Sequence, residues 1–99
     1  MADLFLGLIS GTSADAIDAA LVRFAPAPVL VAAVARPYPA GLRTRVLELS
    51  QRLEPLALRD VAALDVELGR EFADAANALL RDAGVAPVAV RAIGSHGQT

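Results

Sequence analysis

Apolar residues appear first as short blocks and later as a periodic stripe, and that change of pattern divides the chain. Leu4 to Ile9 is an almost continuous apolar run of strand length and reads as a buried β-strand. Ile17 to Phe24 and Val29 to Ala35 are two further runs, joined by Ala25-Pro26-Ala27-Pro28, and together they read as a hairpin. Pro37 and Pro39 close that block. Leu42, Val46, Leu49 and Leu53 then fall on one helical face, with Pro55 ending or interrupting the helix. The strongest periodic signal is Val61, Leu64, Leu68, Phe72, Ala75 and Leu79, spaced by threes and fours, with Arg59, Arg70, Asp74 and Arg81 left for the wet side. Gly84 suits a left-handed helix stop. Val88 to Ile93 returns as a strand that leads into a loop, Gly94-Ser95-His96-Gly97-Gln98-Thr99. The expected order is therefore β-β-β-α-α-β, an α/β fold without internal repeat, low-complexity tract or linker. The last loop has no closing element after it, so an incomplete domain is expected.

Composition narrows the classes of function. With 99 residues and 56% apolar content the chain has enough for one core and no room for two domains. The longest charge-free apolar run, Phe24 to Ala35, contains Pro26 and Pro28 and is far short of a membrane span. The N-terminus carries Asp3 and lacks the basic head and cleavage site of a secretory signal, so a soluble protein in a cytoplasmic setting is expected. There is no Cys, hence no disulfide framework, thiolate nucleophile or Cys-bound zinc, and His96 alone builds no multi-histidine metal site. All nine basic residues are Arg, so a phosphate-binding or Schiff-base Lys is excluded within this segment. Net charge is −2 with the arginines scattered, which argues against a nucleic-acid surface and favours a small ligand or a protein partner.

The candidate chemistry lies in Leu8-Ile9-Ser10-Gly11-Thr12-Ser13-Ala14-Asp15-Ala16-Ile17-Asp18, where small, hydroxyl and carboxylate residues follow the first strand. Gly11 permits a tight turn, and the amides and hydroxyls of Thr12 and Ser13 can converge on an anion. Asp15 and Asp18 can hold a metal ion or its waters, as magnesium takes oxygen ligands and bridges to phosphates through one or two carboxylates. Thr12 with Asp15 also reads as a helix capping box, and Ala14 to Phe24 is rich enough in Ala to continue as a helix. Hairpin and helix both remain open on local pattern. His96 is either a loop histidine bonded to backbone or a ligand-facing group, and Gln98 and Thr99 are candidate hydrogen-bonding residues.

Three pieces agree in content and order with one known family. They are Gly7 to Asp18, then Leu64-Asp65-Val66-Glu67-Leu68-Gly69-Arg70-Glu71-Phe72-Ala73-Asp74-Ala75-Ala76-Asn77-Ala78-Leu79-Leu80, then Ile93-Gly94-Ser95-His96-Gly97-Gln98-Thr99. The chain resembles the anhydro-N-acetylmuramic acid kinases over its whole length. The first and last pieces are specific to that family, whereas the middle one is an amphipathic helix that many folds could use.

The resemblance implies the opening part of the ATP-binding lobe of an actin-like, sugar-kinase-like (ribonuclease H-like) fold, spanning residues 1–99. It implies a hairpin rather than a helix at the first motif, with Asp15 in the turn. It also implies a reaction in which ATP and water open the 1,6-anhydro ring and phosphorylate O6, giving N-acetylmuramic acid 6-phosphate in peptidoglycan recycling. The residues that would face ATP are Gly11, Thr12, Ser13, Ala14, Asp15, Ala16, Ile17 and Asp18; those that would face the sugar are His96, Gln98 and Thr99; Asp15 would hold Mg²⁺, directly or through water. A homodimer is the candidate assembly of the intact enzyme. The family's catalytic Asp sits in an Asp-Thr-Gly-Pro-Gly type motif that does not occur before Thr99, so the base is expected beyond it and the chain alone is expected to be inactive. Two departures stand out: Ala16 replaces the usual Gly, which would be strained if that position needs positive φ, and Ala14 replaces the usual Met or Leu. A non-catalytic interaction module keeping half of the fold, and a chaperone-type ATPase, are the rival readings.

Overall fold

Strand alternation decides which face of the sheet becomes the core. A computed structural model of the chain describes residues 3–11, 14–51 and 57–98. β1 (Leu4–Ser10) and β2 (Ala16–Arg23) pair antiparallel in a register that sets Leu6 opposite Leu21 and Leu8 opposite Ala19. All four of those side chains are buried on one face. Their neighbours Gly7, Ile9, Asp18 and Ala20 are displayed on the other, because successive residues of a strand point to opposite sides. β3 (Val29–Pro37) pairs antiparallel with β2, and β4 (Val90–Gln98) pairs parallel with β1, giving the order β3-β2-β1-β4. The first motif is thus a hairpin, and the helical alternative over Ala14 to Phe24 does not form.

Two helices cover the buried face. α1 (Ala40–Ser50) contributes Leu42 and Val46, and α2 (Leu58–Ala83) contributes Leu64, Phe72, Ala75, Ala76, Leu79 and Leu80. Asp60 in the first turn of α2 and Arg81 in the last both oppose the helix dipole favourably. Gly84 stops the helix at φ 67°, and Val85 donates its N–H to the Leu80 carbonyl at 2.9 Å. Arg45 of α1 donates to Glu67 of α2 at 2.6 Å, and Arg36 of β3 lies 3.5 Å from Glu71 and 3.8 Å from Asp74. These pairs tie the helices to each other and to the sheet.

Two expectations need adjustment. Val61 is expected in the core stripe but is 41% exposed, and Leu58, at the start of α2, is more exposed still. With 26 residues α2 is about 39 Å long, against about 30 Å for the nine-residue strands, so its first turns outrun the sheet. Leu53 and Pro55 lie outside the described residues. The second adjustment is at the end of the chain: residues 87–89 form a 3₁₀ turn, and β4 then continues through the segment expected to be a loop. Pairing with β1 accounts for this, since Gly7 opposes Gly94, Leu8 opposes Ser95, Ile9 opposes Gly97 and Ser10 opposes Gln98. His96 is skipped in that register and forms a bulge beside Gly97, whose φ is 77°. Among the described residues no helix is long and apolar enough to cross a membrane.

Candidate functional site

β1 and β4 run parallel, so their carboxyl ends emerge at the same edge of the sheet, with Ser10 opposite Gln98. That edge is where open α/β sheets bind ligands. The chain leaves β1 through Gly11 and enters β2 at Ala16, and the turn between them closes with the Ala14 N–H donating to the Gly11 carbonyl at 3.0 Å. Thr12, Ser13 and Thr99 lie outside the described residues.

The turn is held from below by the segment after β3. The Tyr38 hydroxyl donates to Ser10 Oγ at 2.8 Å with both residues buried, and the Tyr38 N–H reaches the Asp15 carbonyl at 3.4 Å. Burial pushes the Tyr38 phenol above its ordinary pKa; the hydrogen bond to Ser10 pulls the other way and the Glu71 charge adds to the rise. Arg43, in the first turns of α1, pairs with the Asp15 carboxylate at 3.1 Å. Tyr38 and Arg43 were not singled out in the sequence. The available signal was an aromatic hydroxyl between Pro37 and Pro39, followed by a cation at the start of the helix.

Ala14 occupies the left-handed region at φ 51° and is fully buried. The strain anticipated at Ala16 is therefore absent: Ala16 opens β2 in extended conformation opposite Pro37, and the positive φ falls on Ala14 instead. Ile17 places its side chain in the core at 0% exposure, so it offers a ligand no side-chain contact. Asp15 belongs to the turn as expected, and its carboxylate and that of Asp18 are turned to different faces of the sheet. Asp15 turns toward Arg43 on the helical side, while Asp18 lines a cavity on the opposite face.

That cavity holds about 600 Å³. Asp18 of β2 and His96 of β4 line it together with small residues, Gly7, Ala20, Ala33 and Gly94, on the open face of the sheet. The bulge at His96 is what shifts this residue out of the β1 register. Among the described residues no group of three His, Cys, Asp or Glu side chains converges as a metal cage. Magnesium does not require one, because it commonly keeps several waters and takes one or two carboxylates plus substrate phosphates. The exposed carboxylate of Asp15 beside the turn has the donor chemistry for that mode.

Comparison with known proteins covers nearly the whole chain. The family model described as anhydro-N-acetylmuramic acid kinase matches residues 3–99. The protein named anhydro-N-acetylmuramic acid kinase of Xanthomonas campestris pv. campestris (strain 8004) is 51% identical over 100 residues, covering 97% of this chain and 26% of the relative. Proteins of the same name from Xylella fastidiosa (strain Temecula1 / ATCC 700964) and Gloeobacter violaceus (strain ATCC 29082 / PCC 7421) are 48% and 46% identical, covering 99% and 97% of the chain. The chain spans about a quarter of the length of these curated relatives, 26% to 27%. With its hairpin, crossover helices and parallel fourth strand, it is a partial α/β unit of the sugar-kinase and actin-like ATPase fold. The chain belongs to the anhydro-N-acetylmuramic acid kinase family.

Proposed function

We propose that this chain forms the ATP-side opening part of an intact kinase that opens 1,6-anhydro-N-acetylmuramic acid with water and phosphorylates its O6 position. The observation that supports this reading most directly is the meeting of the β1–β2 turn and the end of β4 at one edge of the sheet, Ser10 facing Gln98. In this reading the turn from Gly11 to Asp15 receives the phosphates of ATP, with the Thr12 and Ser13 amides and hydroxyls as donors. Ala16 contributes backbone. Asp18 stands at the nucleotide side of the cavity and His96 at the sugar side, and Gln98 and Thr99 are the further residues assigned to the sugar.

Asp15 would hold Mg²⁺, directly or through a water. When bound, the ion offsets charge on the transferring phosphoryl group. Asp15 is paired with Arg43 at 3.1 Å, so its carboxylate would be shared between that cation and the ion. The chain supplies binding and orientation, and the base that activates water lies beyond Thr99 in this reading. A cytoplasmic setting and a homodimer of the intact enzyme belong to the same proposal.

The test is an assay of the intact protein with ATP, Mg²⁺ and the 1,6-anhydro sugar, following the 6-phosphate product. Sugar-dependent phosphoryl transfer is expected. ATP turnover that saturates without any dependence on sugar would instead point to a chaperone-type ATPase and overturn the reading.

A further inference from the structure

These 99 residues supply no lysine to the proposed phosphate turn, so what the turn itself contributes to affinity depends on how well its backbone is held. A turn whose amides converge on an anion works only if its two ends keep a set separation, because donors that must be ordered on binding lose affinity to that cost. Tyr38 touches both ends. The Tyr38 hydroxyl donates to Ser10 immediately before the turn, and the Tyr38 N–H reaches the carbonyl of Asp15 at its close. Ser10 and Tyr38 are 0% and 7% exposed, so this strut is shielded from competing water. Pro37 and Pro39 flank Tyr38 and restrict the backbone that carries it. Arg43 adds a second hold on Asp15 through its side chain.

We propose that Tyr38 is a positioning residue for nucleotide binding, setting the spacing of the β1–β2 turn through its bond to Ser10. The proposal rests on the reading of that turn as the phosphate site. Tyr38 touches no substrate. Its effect passes through Ser10 and Asp15 to the backbone between them.

The test uses steady-state kinetics of the intact kinase. Tyr38→Phe removes only the hydroxyl, and the KM for ATP should rise about three- to tenfold, the range that one net hydrogen bond spans. The KM for the sugar should stay unchanged, a split that general loosening of the fold would not produce. Ser10→Ala should reproduce the rise, Ser10→Thr should restore wild-type KM, and the double variant Ser10→Ala/Tyr38→Phe should show no further increase. Ser10→Ala also carries the test should Tyr38→Phe fail to fold. Gly11→Val separates the two levels of the idea. If Gly11→Val raises the KM for ATP while Tyr38→Phe and Ser10→Ala leave it unchanged, the positioning role is overturned and the phosphate turn stands. If Gly11→Val, Tyr38→Phe and Ser10→Ala all leave it unchanged, the turn is not the phosphate site and the proposal falls with it.

Discussion

Asp18 and His96 line one cavity from opposite sides of β1, although one sits at the start of the second strand and the other near the end of the fourth. Register brings them there: Asp18 opposes Ile9, and His96 bulges between the residues that oppose Leu8 and Ile9. If Asp18 stands on the nucleotide side and His96 on the sugar side, their replacements should separate kinetically. In the intact enzyme Asp18→Asn should lower kcat/KM for ATP, and His96→Ala should lower it for the sugar, each by about tenfold or more, or about 1.4 kcal/mol. Equal losses toward both substrates from either variant would count against the division.

Asp15 is a separate case because its carboxylate lies on the other side of the sheet, paired with Arg43. If it holds Mg²⁺, Asp15→Asn keeps the shape but removes the charge that the ion needs. Sugar-dependent phosphoryl transfer should fall at least about tenfold, and more Mg²⁺ should be required for half-maximal rate. An unaltered Mg²⁺ dependence would remove Asp15 from the metal site. Stability should barely move, since an exposed ion pair contributes about 0–1 kcal/mol.

Ala14 in the turn and Ala16 at the start of β2 should respond differently to glycine. At Ala14, with φ 51°, glycine relieves about 1–2 kcal/mol of left-handed strain but loses a buried methyl and gains unfolded-state freedom. These terms nearly cancel, so Ala14→Gly should change stability by no more than about 1 kcal/mol. At Ala16, inside the β2 ladder opposite Pro37, there is no strain to relieve. Ala16→Gly should destabilise by about 0.5–1 kcal/mol. Denaturant unfolding of both variants checks the pair; a stabilising Ala16→Gly would show that the strand start is strained after all.

Much of this architecture was legible because the relevant periods are long or the punctuation is strong. The α2 stripe from Leu64 to Leu79 and the Gly84 stop follow from side-chain spacing and from the φ that only glycine adopts easily. The first hairpin was not legible locally, as Ala-rich residues from Ala14 onward suit a helix as well as a strand; it took the family resemblance to choose. The extension of β4 through Gly94 to Gln98 was missed because glycine-bearing segments read as loops, whereas pairing with β1 is a long-range effect. The split of Asp15 from Asp18 needed the position of α1, which no spacing along the chain contains. Tyr38 and Arg43 escaped for the same reason: their importance comes from what they touch across the fold.

Tyr38 makes the fold sensitive to alkaline pH in a way that can be read directly. Burial, and secondarily the Glu71 charge, hold the folded phenol above its ordinary value of about 10, outweighing the bond to Ser10. Above that pH the unfolded chain has released the proton while the folded chain keeps it. The folded state then binds more protons, so stability falls as pH rises. This contribution is intact below about pH 10 and is lost progressively as pH climbs through the folded pKa. Tyr38 is the chain's only tyrosine and there is no tryptophan, so phenolate absorbance reports this residue alone. Titration of the folded 99-residue chain should show ionisation displaced upward from that of the unfolded chain, and Tyr38→Phe should flatten the alkaline loss of stability. Coincident titration of folded and unfolded chains would mean that burial does not hold the phenol proton against the pull of the Ser10 bond, and Tyr38 would then contribute no alkaline loss of stability.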